Sequence, residues 1–237
     1  GNAEPFTNNR RLKNRGNAEP FTNNRRLKIE NIAAMLCFSY NLHMNIYKVK
    51  SHKYIDYLSK VEPRVSWTKQ ASTYGRNYVG TIFEIIGFIY FAPLTSSIWK
   101  KDKITGQYLL DNNGNRIRKR NKSDIILFED DNSNPAGAVK LNNMIPITKK
   151  LCDDILQLED IDKYKRSSNA NDVKYGNLLE KQVKLINGRF SQAIYNKAKE
   201  MYMCSTSQLA KHQKMKQVCC NFKLLESKAV DFKIREN

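Results

Sequence analysis

The chain has 237 residues, with 41 Lys and Arg against 23 Asp and Glu, a net charge of +18 and a pI near 9.7. A surplus of that size favours polyanionic partners, nucleic acid first, over a membrane surface. No apolar run approaches a spanning helix, Glu84 interrupts the longest one, and no stretch has the layout of a secretory signal.

Five cysteines (Cys37, Cys152, Cys204, Cys219, Cys220) are odd in number and lack CxxC spacing. They predict a soluble protein of a reducing cytoplasm, without a zinc site and with Cys219 and Cys220 as small core residues.

The first 43 residues differ from the rest. GNAEPFTNNRRLK at 1–13 recurs unchanged at 16–28, a 15-residue period. Solenoid units are longer and need three or more copies to share a core. Each copy offers only Phe6 and Leu12, or Phe21 and Leu27, as apolar residues of note. A whole number of codons repeated without drift suits a tandem nucleic-acid element open in this frame. Seven Lys/Arg and three Asp/Glu lie in 1–43, leaving 34 against 20 in 44–237, so the charge belongs mainly to the second part.

From residue 44 onward 194 residues remain, enough for one domain with its own core. NIYKVK (45–50) alternates and predicts a strand. Ser51 then caps a short helix with Tyr54, Ile55 and Leu58 on one face, ended by Pro63. The polar and aromatic 64–78 predicts a loop. Two β-rich runs, 79–86 and 88–94, flank Gly87 and predict a hairpin. The second run ends on Thr95, Ser96 and Ser97, with Lys100 and Lys101 soon after. Hydroxyls and cations at a strand's mouth suit a phosphate, and a helix cap or strand-end turn is the competing role.

Asp111-Asn-Asn-Gly-Asn115 marks the tip of a further hairpin within 99–122, whose 115–122 (NRIRKRNK) concentrates five basic residues. That strip reads equally as a phosphate track or as a solvated charge run. Strands are predicted at 124–128, 136–141 and 144–147, then a helix at 151–158, a polar linker at 160–170 and an amphipathic helix at 172–190. Helices over 191–205, 207–217 and 221–232 close the chain. Strands first and helices later indicate α+β.

Familiar catalytic sets are missing. His43, His52 and His212 share no spacing, and no Walker loop or GxGxxG occurs. Glu129-Asp130-Asp131 reads as a solvated loop before a Mg²⁺ site. RNA needs neither histidine nor metal, because its 2′-hydroxyl is an internal nucleophile. The protein has to hold that oxygen in line, neutralise the phosphorane and manage two protons.

The stretch VGTIFEIIGFIYFAPLTSS (79–97), Met144-Ile-Pro-Ile147 and Asn221-Phe-Lys-Leu-Leu-Glu226 together resemble the ToxN/AbiQ/CptN family. These are the endoribonuclease toxins of type III toxin–antitoxin systems, held inactive by an RNA antitoxin. The resemblance covers 44–237. It implies a compact, twisted antiparallel sheet of about five to six strands with helices packed around it, mostly from the C-terminal half.

The resemblance also implies site residues. Thr95 and Ser96 match the family's Thr-Ser after Pro-Leu, and Arg76, before Asn77-Tyr78-Val79-Gly80, stands where relatives often have Lys. Tyr74 stands in for the family tyrosine at a different offset, and Lys100 or Lys101 for a lysine after the hydroxyl pair. Arg is a good phosphorane stabiliser and a poor acid, which leaves the proton donor open. Tyr175, Lys181 and Gln182 match a family helix that lines an RNA groove, with Lys174 and Lys184 on its flank. Ser97, Lys101, Arg116, Arg118, Lys119 and Arg120 complete the expected RNA surface.

Family members lie just downstream of a short array transcribed into the antitoxin. On that basis residues 1–43 are translated antitoxin repeats plus the intervening gap, and the protein starts at Met44; a duplicated tag or a disordered RNA-binding arm is the other reading. The expected activity is metal-independent cleavage of A-rich RNA to 2′,3′-cyclic phosphate and 5′-hydroxyl ends, without cofactor, in the bacterial cytoplasm. The expected partners are a cognate pseudoknot-repeat RNA, in a closed ring with the toxin, and cellular or phage mRNA; the setting is phage defence. Two rivals stand beside it: a non-catalytic RNA-binding regulator, and a DNA-binding structural protein, against which the lack of a helix-turn-helix signal weighs.

Overall fold

A computed structural model describes Gly1 and residues 43–65, 76–80, 82–85, 87–96, 98–119, 124–209 and 212–232. The expectations placed on 2–42 and on Tyr74, Ser97 and Arg120 lie outside these residues. The fold is α+β: an eight-stranded sheet with helices mainly in the C-terminal half.

The first strand, β1 (Asn45–Val49), leads into α1 (His52–Val61), where Tyr54, Ile55 and Leu58 are buried at helical spacing. Burying a side chain of that size stabilises by roughly 1.5–3 kcal/mol. Ser51 holds the extended N-cap position without a side-chain cap bond.

The predicted hairpin divides into three strands. They are β2 (Asn77–Gly80), β3 (Glu84–Ile85) and β4 (Phe88–Thr95). Gly87, at φ +80, follows β3 and leads into β4, a conformation that favours glycine. Both β2 and β3 pair antiparallel with β4. At Gly80 an added Cβ would meet the Phe91 ring at 2.3 Å, so only glycine lets the two strands close there.

The remaining strands are β5 (Ile125–Glu129), β6 (Pro135–Lys140) and β7 (Ile145–Thr148), and the main path of the sheet runs β5-β6-β4-β2-β1. β4 also pairs with β7. Between β4 and β5, residues 98–119 form an irregular ribbon bridged at Trp99–Arg118, Lys101–Tyr108 and Leu110–Arg116. Its tip is the expected turn, with Gly114 at φ +79.

Three readings of the sequence need correction. Among the described residues the helix predicted at 207–217 is confined to Gln213–Val218, because Ser207 is extended and ends the preceding helix. The helix predicted at 151–158 is a single turn, α2 (Cys152–Ile155), followed by β8 (Leu156–Leu158), which pairs with β1. Leu151, Ile155 and Leu158 fit a helical stripe, but Leu-Gln-Leu also alternates, and the open edge of β1 decides between the two periods. The linker at 160–170 contains α3 (Ile161–Lys165), whose cap is the Asp160 carboxylate accepting from the Lys163 N–H at 3.0 Å. Gly176 allows this turn to lie against the next helix, since a Cβ there would come within 2.9 Å of the Tyr164 Cβ.

That helix is α4 (Ala170–Asn187), followed by α5 (Ser191–Thr206), α6 (Gln213–Val218) and α7 (Phe222–Asp231). Among the described residues no helix is long and apolar enough to cross a membrane.

The motif 221–226 proves structural. Asn221 caps α7 by accepting from the Leu224 N–H at 3.2 Å, while Phe222 and Leu225 enter the core. Glu226 is buried, and its carboxylate accepts from the Tyr90 hydroxyl at 2.8 Å, the Tyr202 hydroxyl at 2.9 Å and the Lys223 ammonium at 2.8 Å. Burial, with Glu226 adding to it, pushes the Tyr90 hydroxyl well above its ordinary pKa, so it stays a donor. Glu226→Ala should leave two buried hydroxyls and an ammonium without their acceptor, lowering stability by about 2–4 kcal/mol. The drop should appear as an earlier urea midpoint with an unchanged slope.

Candidate active site

The register of the central strands builds the site. β2 sets Tyr78 opposite Pro93 and Val79 opposite Ala92, and β6 sets Val139 opposite Leu94 and Ala138 opposite Thr95. Carried on, the β2 register brings Arg76 across from Thr95. Opposed residues of an antiparallel pair share a face, as do residues two apart along a strand. Arg76, Thr95 and Lys140 therefore belong to one side of the sheet. Ile98, Leu127 and Ala138 form a small buried apolar cluster there, with Trp99 and Ile125 packed on it.

The ribbon starts over that cluster. Its Ile98 N–H donates to the Ser96 carbonyl at 2.8 Å, and its Lys119 N–H returns to the Ile98 carbonyl at 2.8 Å. Thr95 is half-buried and Ser96 is exposed at the strand's end. Lys140, unnoticed in the sequence because it closes the apolar strand PAGAVK, is half-buried. Burial holds its pKa below the ordinary lysine value, the charges of Arg76 and Lys119 push the same way, and Asp124 pushes back. The site thus gathers a hydroxyl and cations beside an apolar floor, which is a chemistry for stabilising an anion.

The helix expected to line an RNA groove seats on the other side. Asn77, buried next to Arg76, donates to the Tyr175 hydroxyl at 2.7 Å. Gln182 is buried and donates to the Ala136 carbonyl at 2.6 Å. Gly137 makes room for it, at φ +129, where a Cβ would sit 2.8 Å from the Gln182 amide nitrogen. Lys174 and Lys184 are exposed on the same helix, Lys184 within 3.4 Å of Glu180.

The acidic run is matched by cations. Arg118 pairs with Glu129 at 2.5 Å, Lys181 with Asp130 at 2.5 Å, and Arg189 with Asp131 at 3.7 Å. Arg118 also donates to the Ser133 carbonyl at 2.8 Å. Among the described residues no three His, Cys, Asp or Glu side chains come together as metal ligands. Two of the expected RNA contacts, Arg118 and Lys181, are thereby held in ion pairs of the protein's own. Arg118 and Glu129 are both half-buried, and surface pairs in general are worth only about 0.2–1 kcal/mol.

On the ribbon, Arg116 and Lys101 lie over the Tyr108 ring at 4.2 and 4.7 Å from its centroid. The Cys219 and Cys220 thiols are buried; burial pushes Cys219 up to about 12 and Cys220 further, so both stay protonated.

The comparisons with known proteins agree with this fold. The model of the family described as "Toxin ToxN, type III toxin-antitoxin system" matches residues 45–230. Endoribonuclease ToxN of Bacillus thuringiensis subsp. kurstaki is 33% identical over 189 residues, covering 78% of this chain and 83% of that protein. A toxin solved in work on selective inhibition by a non-coding RNA pseudoknot superposes with a TM-score of 0.64 at 28% identity, over 82% of this chain and all of the other (100%). AbiQ, a lactococcal anti-phage endoribonuclease, has a TM-score of 0.59 at 24% identity over 80% of this chain and 97% of its own, a likeness of fold. The chain belongs to the ToxN family of type III toxin–antitoxin toxins, and its enzyme class is endoribonuclease.

The Lys181 hydrogen bond, followed by those from Asn134, holds the Asp130 carboxyl down at about 2. A depressed folded pKa means stability that is fully present above the ordinary aspartate value and is lost progressively as pH falls from there through about 2. A carbon-detected NMR titration should find Asp130 still ionised at pH 3, and in Lys181→Met its midpoint should return toward the ordinary aspartate value of about 3.9.

Proposed function

We propose that this enzyme cuts RNA without a metal ion, the substrate's own 2′-hydroxyl attacking the adjacent phosphate to leave a 2′,3′-cyclic phosphate and a 5′-hydroxyl. The observation that carries this reading is the strand register bringing Arg76, Thr95 and Lys140 to one face around the end of β4. Arg76 supplies a permanent charge to the phosphorane, and Thr95 and Ser96 donate hydrogen bonds to its oxygens. Lys100, on the ribbon's first strand, and Tyr74 complete the set by resemblance.

RNA is held across both faces. Lys101, Arg116, Arg118 and Lys119 track phosphates along the ribbon, together with Ser97 and Arg120. Lys174, Lys181 and Lys184 extend the basic surface on α4, with Tyr175 and Gln182 fixing that helix to the sheet. The substrates are A-rich cellular or phage mRNAs. The partner is a cognate repeat RNA that folds as a pseudoknot, is cut from its precursor by the toxin, and closes a ring of alternating toxin and RNA. Two relatives support this: one inhibited by an RNA pseudoknot, and one solved in work on a processed non-coding RNA that regulates a bacterial antiviral system, with a TM-score of 0.56 at 27% identity over 81% of this chain and 100% of its own.

Purified enzyme should cut end-labelled RNA in EDTA and leave the all-deoxy version of the same sequence whole. Ser96→Ala removes an exposed oxygen, so folding and RNA affinity should hold while cleavage falls by about a hundredfold or more. A need for Mg²⁺, or cleavage of the all-deoxy version, would refute the mechanism. An undiminished rate in Ser96→Ala would make Thr95 and Ser96 only a strand-end turn and overturn the site assignment.

The family domain, on this reading, begins at Met44. Residues 1–43 precede the stretch that matches the family, 45–230. The Met44 N–H and carbonyl are both bonded to the Asn187 side chain, at 2.8 and 2.7 Å, and an amino terminus placed there keeps both contacts. A chain starting at Met44 should equal the full chain in melting temperature and cleavage rate; a clear loss of either would make 1–43 part of the enzyme.

A further inference from the structure

We propose that Lys140 is the general acid of the reaction, giving a proton from its Nζ to the 5′-oxygen as that oxygen leaves. This rests on the 2′-hydroxyl mechanism proposed above. That mechanism assigns no donor to the leaving oxygen: Arg76 cannot lose a proton near neutral pH, the hydroxyls of Thr95 and Ser96 are weaker acids still, and Lys100 and Tyr74 enter it by resemblance alone.

Three observations single out Lys140. By register it lies diagonally across from Thr95, two residues beyond Ala138 on the same face. Diagonal positions in an antiparallel pair are about 7–8 Å apart, within reach of a long side chain. It also stands among charges of its own sign, Arg76 ahead of β2 and Lys119 on the ribbon. Asp124, ahead of β5, is the one opposing charge felt, and the weakest of the four influences on it. Lastly, it is half-buried and paired with Ile125, which packs on the apolar cluster, an environment that favours the neutral amine left after proton transfer. Lys101, by contrast, lies on the ribbon against Tyr108.

In the step itself a bond forms between the 2′-oxygen and phosphorus while the P–O5′ bond breaks. The 2′-hydroxyl proton passes to water, and the Lys140 ammonium proton goes to the departing 5′-oxygen. The neutral amine then takes a proton back from water, so the enzyme ends as it began.

The test compares ordinary RNA with RNA carrying a bridging 5′-sulfur at the cleavage site, since a thiolate leaves without protonation. Lys140→Arg keeps the charge and removes the acid. It should slow cleavage of ordinary RNA by about a hundredfold or more, yet cut the 5′-thio RNA within about threefold of the parent. Lys140→Gln repeats the comparison without the bulk of a guanidinium. For the parent, the fall in rate at alkaline pH on ordinary RNA should be missing with the 5′-thio substrate. Equal losses on both substrates, or no loss on either, would overturn the role of Lys140. Cleavage of a 2′-deoxy substrate by the parent would instead overturn the 2′-hydroxyl mechanism beneath it.

Discussion

β4 is bonded to four other strands, β2, β3, β6 and β7, and every other placement depends on how it is shared. One strand has only two edges, so its halves divide the work. Phe88–Phe91 pairs with β3 and β7, and Ala92–Thr95 with β2 and β6. Its buried residues, Tyr90, Phe91 and Ala92 among them, fix it in depth, and Glu226 on α7 locks it from the side through the Tyr90 hydroxyl. Thr95 thus stands at the end of a segment tied to four other strands. The proposed site, which would hold a phosphate and a nucleophile in line, benefits from such rigidity, because misplacement of about 1 Å costs on the order of 10² in rate.

The net charge is deployed unevenly. Several cations are neutralised locally: Arg64 on Glu62, Arg118 on Glu129, Lys165 on Glu180, Lys181 on Asp130. Lys140 instead feels like charges, those of Arg76 and Lys119, with Asp124 a weak counterweight. Gathering like charges destabilises a fold, and such concentrations are kept where an anion is to be received.

Much of the fold was legible in the sequence because its signals were local. Gly87 announced a turn, Asp111–Asn115 another, and the spacing of Leu179 and Ile186 declared α4, where both are buried. β8 was not legible, since a three-residue strand is chosen by the open edge of β1 and not by its own pattern. The site was legible in part. Thr95 and Ser96 drew attention as hydroxyls at a strand's mouth, but their relation to Lys140, 45 positions on, exists only through the pairing of Thr95 with Ala138. A shift of one residue would have turned Lys140 to the opposite face. Nor did the sequence disclose that Arg118 and Lys181 answer the acidic run, because ion pairing across loops leaves no periodic trace.

Pro146 has a consequence for how the molecule keeps company with its own kind. It lies in β7 opposite Tyr90, has no N–H to offer, and its carbonyl is taken by the Tyr54 hydroxyl at 2.5 Å. An unoccupied strand border normally presents alternating donors and acceptors to any passing chain, the template from which stacked aggregates grow. At this point of β7 both groups are withdrawn, one by the ring and one by α1. Ile145, Pro146 and Ile147 are also buried, so the border lies inside the fold and a second molecule finds no strand to extend there.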